Sequence, residues 1–100
     1  MKYTIHQLPW ENDLVYMNFE FATKHGGVHI DSYEKVYTGE IEVSAKVTDA
    51  VGYALEELFG IFNTDIPEDF TGRSLSVSDI VVLDGIGTYF CDSIGWKRIA

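Results

Sequence analysis

Ser74, Ser76 and Ser78 occupy alternate positions directly before Asp79, with Arg73 in front of them, in the stretch FTGRSLSVSDIVVL (70–83). Hydroxyls and a carboxylate at this density could make a hydrolase. A serine nucleophile, however, needs a base within hydrogen-bond reach and an oxyanion site, and the G-x-S-x-G elbow that supplies both is missing. The same groups beside a tight turn satisfy backbone amides where a chain enters a strand, and that is the reading we adopt for them. Arg73, the sole base between Lys46 and Lys97, is expected to anchor this loop through a carboxylate or a carbonyl.

Other reactive side chains are weaker candidates. His25, His29 and Asp31 form an H-x3-H-x-D cluster, but Gly26-Gly27 breaks the helix that would put both imidazoles on one face, and no fourth ligand is evident. His6 alternates with Ile5 and reads as a surface or edge side chain. Cys91 has no C-x-x-C partner and no cationic neighbour in sequence, so it reads as a buried, inert thiol. Gly85-Ile86-Gly87 lacks the following helix that a phosphate loop requires and reads as a hairpin turn. No metal or cofactor is called for, and no residue is assigned a catalytic role.

Carboxylates are the most abundant functional groups. Sixteen acids face seven bases, for a net charge of −9, which disfavours direct nucleic-acid binding because phosphate contacts need Lys and Arg. Nine of the acids but only one base lie between Val47 and Trp96. Glu56, Glu57, Asp65, Glu68 and Asp69 are clustered there without the D-x-D-x-D-G spacing of a calcium loop. Beside Tyr53 and Phe70 they have the composition of a docking surface for a basic protein, with Glu40 and Glu42 as further charges on an extended segment. A solubilising surface accounts for the same charge equally well.

The elements that must position these groups follow from periodicity. Lys2 to Leu8 alternates as a short strand ended by Pro9, and Tyr33 to Val43 reads as extended, with Gly39 a bulge or kink. Trp10 to Phe21 fits alternation and a loose helical turn alike. Asp49 caps a helix predicted over Ala50–Phe62, with Val51, Leu55, Leu58, Phe59 and Phe62 as its apolar stripe, Glu56, Glu57 and Gly60 outward, and Asn63 as a left-handed stop before Pro67. Strands are predicted at Ser76–Leu83, Thr88–Asp92 and Trp96–Ile99, the first central because Ile80 to Leu83 is apolar on both faces. With 46% hydrophobic residues, the 100 residues suffice for one domain with one modest core. We expect an α+β fold over residues 1–100: one principal helix packed on a curved, mainly antiparallel sheet ending in a β-meander. Its core should hold Leu55, Leu58, Phe59, Phe62, Val77, Val81 and Leu83. One cysteine precludes an internal disulfide, and no stretch resembles a signal peptide or reaches transmembrane length, so a reducing cytoplasm is expected, with no membrane partner.

From Ile61 to Trp96 the chain resembles the YodL-like family, whose pattern is a helix ending F-x-x-F-N, a block P-x-D-F/Y-x-G-R/H-S-L/M-S-V-x-D-V/I-V, and then an aromatic pair, an aspartate and G-F/W. Here these are Phe59, Phe62 and Asn63, then Pro67, Asp69, Phe70, Gly72 to Val77 and Asp79 to Val81, then Tyr89, Phe90, Asp92, Gly95 and Trp96. YTIHQL and VYTGEI resemble the family's opening and middle strands. Ser78 stands where the family usually has glycine. The resemblance implies a small non-enzymatic interaction protein of Gram-positive bacteria and their conjugative elements, plasmids and phages, where such domains accompany antirestriction modules. Most concretely it implies an anti-CRISPR protein that binds a type II CRISPR-Cas effector nuclease and interferes with guide-RNA or DNA binding. A host regulatory adaptor for another cytoplasmic protein is the alternative, and a hydrolase built on the serines and Asp79 ranks last.

Overall fold

A computed structural model describes residues 1–100. Chain order is strand β1 (Lys2–Gln7), helix α1 (Phe19–Lys24), a 3₁₀ turn (Ile30–Ser32), β2 (Glu34–Glu40), helix α2 (Ala50–Thr64), and strands β3 (Ile80–Leu83), β4 (Gly87–Cys91) and β5 (Trp96–Arg98). The strands form one antiparallel sheet in the order β2-β1-β3-β4-β5. The fold is therefore α+β as expected, with β3 in the centre and β3-β4-β5 as the closing meander.

α2 begins as predicted, the Asp49 carboxylate accepting from the Gly52 amide at 3.0 Å. It runs two residues further than predicted. Asn63 is no left-handed stop: it remains helical, its Nδ2 donating to the Phe59 carbonyl at 2.8 Å and the Leu75 carbonyl at 2.9 Å. The helix buries Ala54, Leu55, Leu58 and Phe62 against Tyr3, Ile5, Val81, Leu83 and Tyr89 of the sheet. Phe59 is not in the core but 39% exposed. At 3.6 residues per turn it lies about 100° round from Leu58, and the small Ala54 lets the helix approach the sheet on the other side of the stripe.

Tyr3, Tyr37 and Phe70 surround Phe62 edge-on at centroid distances of 6.1, 5.4 and 4.9 Å. On the other face of the sheet, Ile80 and Phe90 pair across β3 and β4 and are fully buried. α1 covers this side, Phe19 meeting Phe90 edge-on at 5.5 Å. The segment 10–21 thus resolves into turns followed by α1, which Asn18 caps through the Phe21 amide at 2.8 Å.

Four strand boundaries need correction. Ser76–Asp79 is a turn rather than the start of β3: the Asp79 amide bonds the Ser76 carbonyl at 3.0 Å, and Ser78 adopts φ +84°. Val77 is accordingly only half-buried, and Leu75 takes its expected place in the core. Residues 41–43 lie beyond β2, and the closing strands each end one residue early, at Cys91 and Arg98. The bulge in β2 is at Val36, where His6 pairs with Lys35 but Ile5 with Tyr37, and not at Gly39.

Gly39 is glycine because Tyr3 lies across it. A Cβ there would sit 2.6 Å from the Tyr3 hydroxyl and 2.8 Å from the ring. Gly39→Ala is expected to displace Tyr3 from the Phe62 cluster and cost about 1–3 kcal/mol in denaturant unfolding, the usual range for an overpacked site.

Candidate functional site

Two arrangements of polar groups arise from this fold. The first is the corner joining the 70–79 segment to β1. Gln7, on the buried face of β1, donates to the Arg73 carbonyl at 2.8 Å and to Asp79 Oδ2 at 3.0 Å, and its Oε1 accepts from the Arg73 amide at 3.0 Å. Asp79 Oδ2 also accepts from the Ser76 amide at 2.8 Å. Gly72 permits the close approach: a Cβ there would lie 2.7 Å from Gln7 Oε1. Tyr33 donates its hydroxyl to the Ser78 carbonyl at 2.6 Å, and the Tyr16 amide donates to Ser78 Oγ at 2.9 Å. These bonds hold Ser78 in a left-handed conformation that glycine adopts without strain.

Ser76 and Ser78 thus have local structural partners for their hydroxyls. The Ser76 amide, not its hydroxyl, meets Asp79; Ser76 Oγ donates to the Ser74 carbonyl at 2.9 Å. Burial pushes the Asp79 carboxyl up to about 7, outweighing the hydrogen bonds from Ser76 and Gln7 and the charge of Arg73, all of which act downward. Burial also raises Tyr33, with the Asp79 charge acting in the same direction. Arg73 anchors the loop through a carbonyl, Nη2 to Leu8 O at 2.7 Å, and its guanidinium stacks 4.4 Å from the Trp10 ring.

The second arrangement is the outer face of α2. Glu56, Glu57 and Asp65 line one open groove of about 520 Å³ together with Tyr53, Ile61 and Thr64. All seven carboxylates named from sequence are exposed, but they do not form one ridge. Asp69 turns away to accept from the Tyr37 hydroxyl at 3.0 Å, raising the tyrosine pKa chiefly through that bond. Glu68 follows in the loop after α2, Glu40 ends β2, and Glu42 lies just past it. Glu56 accepts from Trp96 Nε1 at 3.0 Å, which ties the groove to β5.

The remaining candidates have local partners. His25 donates Nδ1 to the Phe21 carbonyl at 2.8 Å and His29 donates Nε2 to the Gly26 carbonyl at 2.7 Å, and no group of three or more His, Cys, Asp or Glu side chains could hold a metal. His6 is half-buried and held below the usual histidine range by burial and by Lys35. Cys91 is buried, and its thiol is pushed up to about 12 by burial and by the charges of Asp79, Glu56 and Asp92. No helix is long and apolar enough to cross a membrane.

Sequence reasoning missed Gln7, Tyr33 and Trp10. Gln7 carried a signal: it shares the face of Tyr3 and Ile5 in an alternating strand, so a polar side chain was being placed where burial was expected. Tyr33 and Trp10 carried none, because their partners are 45 residues away in one case and across the corner in the other.

The molecule is a small α+β domain whose S-L-S-V-S-D segment is a hydrogen-bonded corner. A model of the YodL-like domain matches residues 2–100, and the chain belongs to the YodL-like domain family. No curated protein and no solved structure matches it.

Proposed function

We propose that this protein is a non-enzymatic inhibitor that presents the acidic face of α2 to a basic protein surface, most concretely that of a type II CRISPR-Cas effector nuclease. The observation that carries the docking surface is the shared groove of Glu56, Glu57 and Asp65, with no base lining it. The link to mobile elements and host defence is part of this proposal and rests on the sequence resemblance described above. An RNA-guided nuclease holds its guide and target in a positively charged channel and recognises them through backbone geometry. A rigid helix carrying carboxylates, with Glu68 in the loop beyond it, could occupy part of that channel before the guide arrives. Long-range attraction between the −9 protein and the channel would speed encounter and weaken as salt rises.

The test is guide-RNA loading onto a type II effector nuclease, with and without this protein, at two ionic strengths. Inhibition of loading, stronger at low salt, is expected. Unchanged loading and unchanged cleavage would overturn the inhibitor reading. Glu57, Asp65 and Glu68 make no internal side-chain hydrogen bond, so reversing all three to Lys leaves the corner and the Trp96 contact intact. The triple variant is expected to bind about tenfold or more weakly and to lose the salt dependence. Undiminished inhibition by the folded triple variant would retain the partner but remove the α2 face as its docking surface.

A further inference from the structure

β2 lies at the edge of the sheet, and no backbone N–H or C=O of residues 34–40 bonds to anything outside the β1–β2 ladder. This is the longer of the two free edges, seven residues against three in β5. Its first half is guarded by Lys35 and the bulge at Val36, devices that stop indiscriminate strand pairing. Its second half, Tyr37 to Glu40, has neither.

The bulge leads somewhere. Glu34 and Val36 form one side of a groove of about 440 Å³ whose other walls are Trp10, Glu11 and the Thr71–Arg73 backbone turn. Trp10 is 64% exposed although Arg73 stacks on it, and Tyr16, edge-on to it at 5.7 Å, is 48% exposed. Exposed Trp and Tyr beside Arg are the residue types that dominate binding energy at protein interfaces. The groove shares no lining residue with the acidic face of α2.

The geometry points to a second docking surface, in which an extended basic segment of a partner protein pairs with the edge of β2 and places a Lys or Arg side chain in the groove between Glu11, Glu34 and the indole of Trp10. Backbone pairing would give affinity and the groove would give side-chain selection, the usual division in strand addition. Charge decides between occupants. A second copy of this chain, paired antiparallel about Tyr37, would set Glu34 opposite Glu40 and bring together two molecules of net charge −9. A cationic side chain instead meets two exposed glutamates, Glu11 and Glu34, against one lining cation, Arg73, which stacks on a Trp10 indole that is still 64% exposed.

The experiment is an NMR titration of the ¹⁵N-labelled protein with two synthetic octapeptides, one alternating Lys and Val, the other Glu and Val. The basic peptide is expected to shift the Trp10 indole N–H and the amides of residues 37–40, and the acidic peptide to bind at least about tenfold more weakly. Trp10→Ala, which removes an exposed side chain, and Glu11→Lys/Glu34→Lys are each expected to weaken the basic peptide about tenfold, while the α2 triple reversal leaves it unchanged. Equal binding of both peptides, shifts confined to α2, no shift at about 1 mM peptide, or self-association through β2 would each overturn the proposal.

Discussion

Phe62→Ala is expected to destabilise the fold by about 3–5 kcal/mol, and Phe59→Ala, three residues earlier on the same helix, by no more than about 1 kcal/mol. Phe62 is fully buried, and Tyr3, Tyr37 and Phe70 close around it from β1, β2 and the 70–79 segment. Neither tyrosine can follow the truncation without breaking its own contacts: Tyr3 lies over Gly39, and Tyr37 is bonded to Asp69. The cavity therefore persists, and its cost adds to the lost transfer energy. Phe59 is 39% exposed and leaves no closed cavity. A domain of this size is stable by only about 5–15 kcal/mol, so Phe62→Ala brings it near its unfolding threshold. Urea unfolding followed by far-UV circular dichroism measures both, with an unchanged slope certifying that the denatured states are comparable. Equal losses at the two positions would mean that α2 is rotated from the orientation described here.

The contrast between these two phenylalanines also marks where the sequence ceases to be legible. Periodicity located α2 and most of its buried side, because a 3.6-residue repeat survives whatever the helix packs against. It could not show which flank of the stripe faces the sheet, since that depends on Ala54, whose small side chain carries little hydrophobic signal but permits close contact. The β3–β4 hairpin was legible from Gly85-Ile86-Gly87 between apolar runs. The turn at 76–79 was not, because S-V-S-D alternates as a strand does. No local signal marked Ser78 as the left-handed residue of that turn.

For the candidate site, composition gave the exposure of the carboxylates but not their grouping. Glu57 and Asp65 share a groove because Asp65, which caps α2, follows Glu57 by about two helical turns. Glu56 joins them while held by Trp96, 40 residues further along, and Asp69 is drawn off by Tyr37, 32 residues earlier. Long-range pairing of this kind leaves no trace in local sequence.

Asp79 gives the second large effect, and it depends on pH. Its folded carboxyl keeps its proton up to about pH 7, whereas the ordinary value, taken for the unfolded chain, is 3.8. Between these values the native state binds more protons than the unfolded one, so this group's contribution to stability falls as pH rises. The contribution is complete below about pH 4 and lost above about pH 7, a change on the order of 4 kcal/mol for a difference of about three pH units. Other carboxylates titrate at the acid end, so the informative quantity is the difference from Asp79→Asn. Asparagine can keep an oxygen facing the Gln7 and Ser76 donors and has no charge to desolvate. Asp79→Asn is expected to match the wild type near pH 4, to exceed it by about 1–2 kcal/mol at pH 5 and by about 4 kcal/mol at pH 8. Asp79→Ala should instead lie below Asp79→Asn at every pH, by about 1–3 kcal/mol for each of the two donors left without an acceptor. Urea midpoints at half-unit pH intervals resolve all three curves. If the wild type and Asp79→Asn run parallel from pH 5 to pH 8, the carboxylate is ionised in the fold, and Arg73 rather than a proton balances its charge.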